Sequence, residues 1–304
     1  MQKQVSWVST LLLGVLVSVS PLAGASTLNV IASFSILEDL VKRIAGEDID
    51  VNVIVPPGED VHTWELTPPN VLSIEEADIM FYNGFGLEPW LRHVEAIAND
   101  SLTLKAVAEN ADFAPLPIIT GQYQGTNDPH MWMDPKGAAA YIKVIAETLA
   151  EHYPEKAGAF YARAEDTYRA LDTLDQAINE RLEGIPKTNR SLVTSEAGFR
   201  YFARAYGFEY DAIWGLNNET QGNARAMAEM NERLAKTRPP ALFYESTVPC
   251  IHMDALSRAT GISLAGPLYV DSFSSQDDQA DDYPAMLHYN AELIHGALGG
   301  ARPE

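Results

Sequence analysis

Between Pro154 and Leu182 the chain contains one glycine, Gly158, and no proline after Pro154. Across this stretch Phe160, Ala164, Tyr168, Leu171, Leu174, Ile178 and Leu182 recur every three or four residues, which is one face of a single α-helix. At 1.5 Å per residue such a helix is about 45 Å long, more than the width of a small lobe. A coiled-coil arm would need a longer apolar stripe, and this one is interrupted by Ala164 and Tyr168. The spacing therefore predicts a rigid strut, 154–183, with folded material on either side of it.

Both flanks alternate strand and helix. Before the strut, Leu28–Ala32, Val51–Val55, Ile79–Tyr82 and Leu102–Val107 read as strands, and Ser35–Ala45 reads as a helix with Ile36, Leu37, Leu40, Val41 and Ile44 on one face. After it, Ser191–Thr194, Ala241–Tyr244, Ile262–Ala265 and Leu268–Val270 read as extended segments, with a helix over Phe199–Ala205. Alternation of this kind implies mostly parallel sheets covered on both faces. The expected fold class is thus α/β, with lobes at 26–153 and 184–304 joined by the long helix.

The first 25 residues read as a leader. Lys3 gives a positive start, Leu11–Val19 is apolar but shorter than a spanning helix, and Pro21–Ala25 ends in a small-x-small cleavage site before Ser26. An exported protein is expected, soluble and located in the periplasm. No cysteine adjoins the cleavage site, which leads to the expectation of no lipid and no membrane anchor. Cys250 is the only cysteine, so an intramolecular disulfide is excluded and stability has to come from apolar cores. The remaining roughly 280 residues suffice for two lobes. With 42 acidic against 21 basic residues the net charge is -21, which argues against nucleic acid or anionic lipid as a partner.

In open α/β sheets, ligands bind in the crevice beyond the carboxyl ends of the strands. Four residues of metal-ligating type stand at such exits. His62 follows the Val51–Val55 strand, His130 lies in the turn-rich Asp128–Pro135 segment, Glu196 comes just after Ser191–Thr194, and Asp271 comes directly after Val270. Singly each has an ordinary explanation. His62 reads equally as a solvated loop residue, and Asp128 and Asp134 beside His130 read as turn or helix caps. Glu196 reads as a helix N-terminal charge and Asp271 as a cap. Jointly they form a set of two imidazoles and two carboxylates, shared between the lobes, that neutralises a divalent cation and suits manganese or iron. The other histidines, His93, His152, His252, His288 and His295, lie in or beside helical stretches and read as surface or packing residues.

The segments around these residues resemble the signatures of metal-specific substrate-binding proteins of ABC importers (the cluster A-I, or cluster 9, family). They are Pro57-Gly58-Glu59-Asp60-Val61-His62-Thr63-Trp64-Glu65, Asp128-Pro129-His130-Met131-Trp132-Met133-Asp134-Pro135, Thr194-Ser195-Glu196-Ala197-Gly198-Phe199, and Tyr269-Val270-Asp271-Ser272. The resemblance runs from about Ser26 to the C-terminus and implies two α/β lobes joined by one long helix, with a metal in the cleft. It also implies a ligand role for His62, His130 and Asp271. At the third position, zinc-type members usually carry histidine and manganese- or iron-type members carry glutamate, as Glu196 here. The stretch Asp112–Asn127 contains no histidine, unlike the His-rich loop of many zinc-type members. Departures from the pattern are Val61 in place of proline, Trp64 in place of tyrosine, and Leu66 within the usual glutamate-x-proline run; each bears on fine metal preference.

What the resemblance implies is a periplasmic carrier of one divalent transition metal, manganese first, then iron, with zinc as the alternative. Its partner is a membrane permease with an ATPase, and the carrier is expected to be a monomer. Glu245, at the end of the Ala241–Tyr244 strand, is the substitute ligand should Glu196 not serve. Trp64, Trp132 and Trp214 are candidates for a dry wall around the site. A secreted metallohydrolase is the rival class, but it needs an open metal position and a general base, and no His-Glu-x-x-His or Gly-x-Ser-x-Gly motif occurs. An adhesin role fits poorly with a strongly acidic, untethered chain. Because a long helix resists hinging, local loop changes are expected on metal binding rather than wide lobe closure.

Overall fold

The structure is a computed structural model that describes residues 28–217, 224–275 and 279–299, so the predicted leader lies outside the described residues. The first lobe runs β1 (Asn29–Phe34), α1 (Ser35–Ala45), β2 (Asp50–Val55), α2 (Pro68–Glu76), β3 (Ile79–Tyr82), α3 (Leu91–Ile97), β4 (Thr103–Ala106), α4 (Val107–Asn110) and α5 (Pro135–His152). Its four strands form one parallel sheet in the order β2-β1-β3-β4. All of β1 after Asn29 is buried, as expected of a strand covered on both faces. The α1 helix has the predicted limits and buries the predicted face.

The strut is α6 (Ala157–Glu183), 27 residues and so about 40 Å long. It begins three residues later than predicted because Pro154–Lys156 form a 3-10 turn. Phe160, Ala164, Leu171, Leu174, Ile178 and Leu182 are buried against α1 and α5, while Tyr168 is half-buried. Arginines fasten both ends. Arg163 donates to the carbonyls of Ile44 and Ala45 at 2.8 and 2.9 Å and pairs with Asp48. Arg190 donates to the carbonyls of Leu182 and Tyr206 at 2.7 and 2.8 Å.

The second lobe contains β5 (Ser191–Glu196), α7 (Arg200–Tyr206), β6 (Glu209–Trp214), α8 (Ala224–Thr237), β7 (Ala241–Glu245), α9 (Ile251–Thr260), β8 (Ser263–Leu268) and α10 (Tyr283–Ala297). The pairs β5-β6 and β7-β8 are parallel, and β5 lies alongside β7. The segment predicted at 262–265 belongs to strand β8, whereas of the segment predicted at 268–270 only Leu268 does. Strand β6 was not apparent in the sequence, because Glu209 and Asp211 break its apolar pattern.

A large apolar cluster runs from β1 and α1 through α5 and α6 into α7 and α10, and a smaller one surrounds Ile213, Trp214, Met230 and Leu242. Val270, Ser272, Phe273 and Asp282 bring the chain back to the first lobe. The indole N–H of Trp132 donates to the carbonyl of Val270 at 2.9 Å, and Gly58 N donates to Ser272 Oγ at 2.6 Å. Phe273 N donates to Ser35 Oγ at 3.3 Å, and Arg43 pairs with Asp282 at 3.0 Å. Among the described residues no helix is long and apolar enough to cross a membrane.

Candidate metal centre

The four strand-exit residues converge. One ligand-type atom from each of His62, His130, Glu196 and Asp271 lies within 4.8 Å of the others, and all four residues are buried. His62 is carried by the loop after β2, and its backbone N–H donates to Asp60 Oδ1 at 2.8 Å. His130 precedes a 3-10 turn at Met131–Met133, and Asp134 caps the following helix α5 through Lys136 N. Glu196 is the last residue of β5 rather than part of the loop beyond it. Asp271 lies three residues past β8, in the segment fastened to the first lobe.

Across the centre, His62 Nε2 is 3.2 Å from Glu196 Oε1 and 3.8 Å from Asp271 Oδ2, while His130 Nε2 is 3.3 Å from Asp271 Oδ1. His62 Nε2, His130 Nε2, Glu196 Oε2 and Asp271 Oδ1 are buried without a hydrogen-bond partner. Native interiors seldom leave polar atoms in that state. These atoms belong to four side chains that converge, two imidazoles and two carboxylates, a set that could hold a divalent cation.

Behind these atoms the supports differ. His130 Nδ1 contacts Asp128 Oδ1 at 2.7 Å, the orientation that presents Nε2 to the centre, and the Trp132 ring meets the imidazole edge-on at 5.2 Å between centroids. His62 Nδ1 has no partner. Glu245 is buried beside Glu196 but is absent from the donor set. Its carboxylate accepts the Ser195 hydroxyl and, at 3.0 Å, the Glu196 backbone N–H.

Asn217 is the residue that sequence reasoning missed. Its backbone N–H donates to Glu196 Oε1 at 2.9 Å and its Nδ2 to Asp271 Oδ2 at 3.4 Å, while its Oδ1 accepts the Trp214 indole N–H at 3.0 Å. It stands just past β6, so the strand-exit reasoning would have found it had that strand been recognised. Of the tryptophans, Trp132 and Trp214 are buried next to the centre, whereas Trp64 is half-buried and donates to Asn70. Of the remaining histidines only His295 is buried, within α10.

The charges are strained without a cation. Burial and the neighbouring Asp271 push Glu196 well above the carboxylate range. Burial also pushes Asp60 up to about 6, with His62 partly offsetting it. For His130, burial works against the charged form, but Asp128 and Asp271 outweigh it and the imidazole is raised well above its ordinary value. Asp271 goes down despite burial, because His130 and His62 stabilise its carboxylate. A divalent ion held by these residues would take the place of the protons that this pattern retains.

One glycine matters for packing beside the site. A Cβ on Gly198, just after Glu196, would come within 2.7 Å of the Val270 side chain, which would have to shift, whereas the 3.6 Å to the His130 ring is ordinary contact.

Comparison with known proteins bears on the same reading. The family model for zinc-uptake complex component A, a periplasmic protein (ZnuA), matches residues 30–297. The manganese-binding lipoprotein MntA of Halalkalibacterium halodurans is 34% identical over 271 residues, covering 89% of this chain and 88% of that protein. The iron-binding protein YfeA of Yersinia pestis is 32% identical over 280 residues, covering 92% and 89%. Among solved structures, the periplasmic zinc binding protein TroA of Treponema pallidum superposes with a TM-score of 0.81 at 29% identity, covering 91% of this chain and all of that one.

The expectation of an unlipidated, freely diffusing protein is corrected here. MntA, like several streptococcal relatives, is named a lipoprotein. The expectation rested on the lack of a cysteine beside the predicted cleavage site, a segment that lies outside the described residues, and the folded part of the chain has no bearing on it. The extracytoplasmic location is consistent with these relatives.

Proposed function

The chain belongs to the ZnuA family of periplasmic metal-uptake components, and from that premise we propose that His62, His130, Glu196 and Asp271 capture one divalent transition metal ion for delivery through an ABC importer. It is a substrate-binding component of such a transporter, and its partners are a membrane permease and the ATPase that drives it. The observation that carries the site assignment is the set of four buried, converging polar atoms with no hydrogen-bond partner.

Manganese is the favoured cargo, followed by iron, with a zinc carrier as the alternative. Glu196 in place of an imidazole makes the donor set half oxygen, which suits the harder ions. The relatives named for manganese and for iron support this, while the family model is named for zinc. In simple equilibrium zinc binds such a site more tightly than manganese, so selectivity has to arise from geometry, release kinetics or metal supply.

The chain works as lobes 26–153 and 184–304 with the helix 154–183 between them, after removal of residues 1–25, and acts as a monomer. The Arg163 and Arg190 anchors at the two ends of α6 oppose hinging, which favours local loop movement for loading and release. No catalytic role is assigned: the four ligand side chains are fully buried, and the family consists of metal-uptake components.

Calorimetric titration of the metal-stripped protein with manganese, and in parallel with zinc, tests this. One manganese per chain at submicromolar affinity is expected. Zinc binding with negligible manganese binding would make it a zinc carrier, and binding of neither metal would overturn the site.

A further inference from the structure

We propose that Asn217 sets the coordination number of the centre, and with it the balance between manganese and zinc, by holding Asp271 to one-oxygen binding; this rests on the metal-carrier reading above. The amide orientation is fixed by its surroundings. Trp214 Nε1 donates to Oδ1, which turns Nδ2 toward Asp271. The side chain is 1% exposed, so these partners do not compete with bulk water.

Each carboxylate ligand is thereby divided. Asp271 Oδ2 and Glu196 Oε1 each accept an N–H from Asn217, whereas Asp271 Oδ1 and Glu196 Oε2 have no partner. For Asp271 to chelate an ion through both oxygens, Oδ2 has to serve the ion and the amide at once, which weakens it as a ligand and favours binding through Oδ1. The result is a lean site of two imidazoles and one oxygen from each acid. Zinc is content with four ligands, whereas manganese gains from further oxygens. Asn217 therefore withholds from manganese an oxygen that the site already contains.

The two donors come from different parts of the residue, and this makes the idea separable by mutation. Asn217→Ala removes the side-chain contacts to Asp271 and to the Trp214 indole and keeps the backbone N–H on Glu196. Changes to partners behind metal ligands commonly shift affinity by about 10–100-fold. The variant is expected to shift the ratio of manganese to zinc affinity toward manganese by about tenfold, and X-ray absorption of the manganese-loaded protein should gain one oxygen neighbour. Equal loss for both metals with an unchanged oxygen count would reduce Asn217 to a structural support and overturn the proposal, as would no change at all. Circular dichroism decides whether the variant is folded; if it is not, Asn217→Ser, which is too short to reach Asp271, is judged by the same ratio and oxygen count. Wild-type protein in the same titrations keeps the two readings apart: its failure to bind either metal refutes the carrier function, whereas normal wild-type binding with an unmoved ratio refutes only the role of Asn217.

Discussion

In the first lobe four strands share one hydrogen-bonded sheet in the order β2-β1-β3-β4, whereas in the second the side-by-side order β6-β5-β7-β8 is hydrogen-bonded only in its outer pairs. Each lobe buries a carboxylate near the ends of its central strands. Glu88 accepts from Ser33 Oγ at 2.8 Å, Asn83 N at 2.7 Å and Gly84 N at 3.2 Å. Glu245 accepts from Ser195 and from Glu196 N. Glu88 is thus held by three donors within a continuous sheet, while Glu245 has two and sits at the seam between β5 and β7. Ligand support follows the same division. His130 is backed by Asp128 and packed on Trp132, whereas Glu196 leans on groups that are polar and partly titratable. The first lobe supplies one imidazole held by a carboxylate, His130, and the second supplies a carboxylate, Glu196, whose setting responds to its neighbours.

The strongest way to break this comparison is at the ligands. His130→Ala should reduce metal affinity by more than the ~10–100-fold typical of an outer partner. Glu196→Ala should cost less, because Glu245 lies next to it. Calorimetry on both variants checks the order, and equal losses would remove the distinction between the lobes. Next in size, Asp128→Asn should weaken binding by about 10–100-fold, since it removes the charge that orients His130; affinity within threefold of the wild type would show that Trp132 alone is sufficient.

Glu245 gives a test of stability. Burial pushes its carboxyl up to about 7. A carboxyl whose folded pKa is raised stabilises the fold fully below its unfolded value, and that contribution is lost as pH rises through the folded value. Over the window from about 4.5 to about 7 the loss amounts to about 3 kcal/mol. Glu245→Gln should therefore flatten the pH dependence of urea unfolding and be the more stable protein at pH 8. Parallel pH profiles for the two proteins would show that the seam is not under charge strain. The smallest expected effect is that of Trp132→Phe, which keeps a ring against His130 but loses the bond to the Val270 carbonyl. A cost of about 1 kcal/mol in thermal or urea unfolding is expected.

Features with a period of their own were legible in the sequence. The stripe from Phe160 to Leu182 marked α6, and the Ile36–Ile44 face marked α1 to the residue. The four ligand candidates were legible because strand exits are where α/β sheets bind ligands, and the structure brings all four together. Strand β6 was hidden by Glu209 and Asp211, which face partly solvated surroundings at its start, and Asn217 was lost with it. The hydrogen bonds of Asp128 to His130 and of Glu245 to Ser195 and Glu196 depend on side-chain directions that no spacing reveals. Asp128 reads equally well as a turn cap, and it does accept the His130 backbone N–H as well as backing the ring.

The return of the chain onto the first lobe through Val270, Ser272, Phe273 and Asp282 also bears on how the molecule comes to life. Tyr283 donates its hydroxyl to the Trp132 carbonyl at 2.6 Å, and α10 packs against α6 and α1. A chain that emerges from its N-terminus therefore cannot finish its first half until its last residues arrive, because contacts so distant in sequence close late in folding. Asp271 is among those late arrivals. A chain folded only as far as β8 would hold three of the four candidate ligands, and the set closes only when Asp271 and the segment after it are in place.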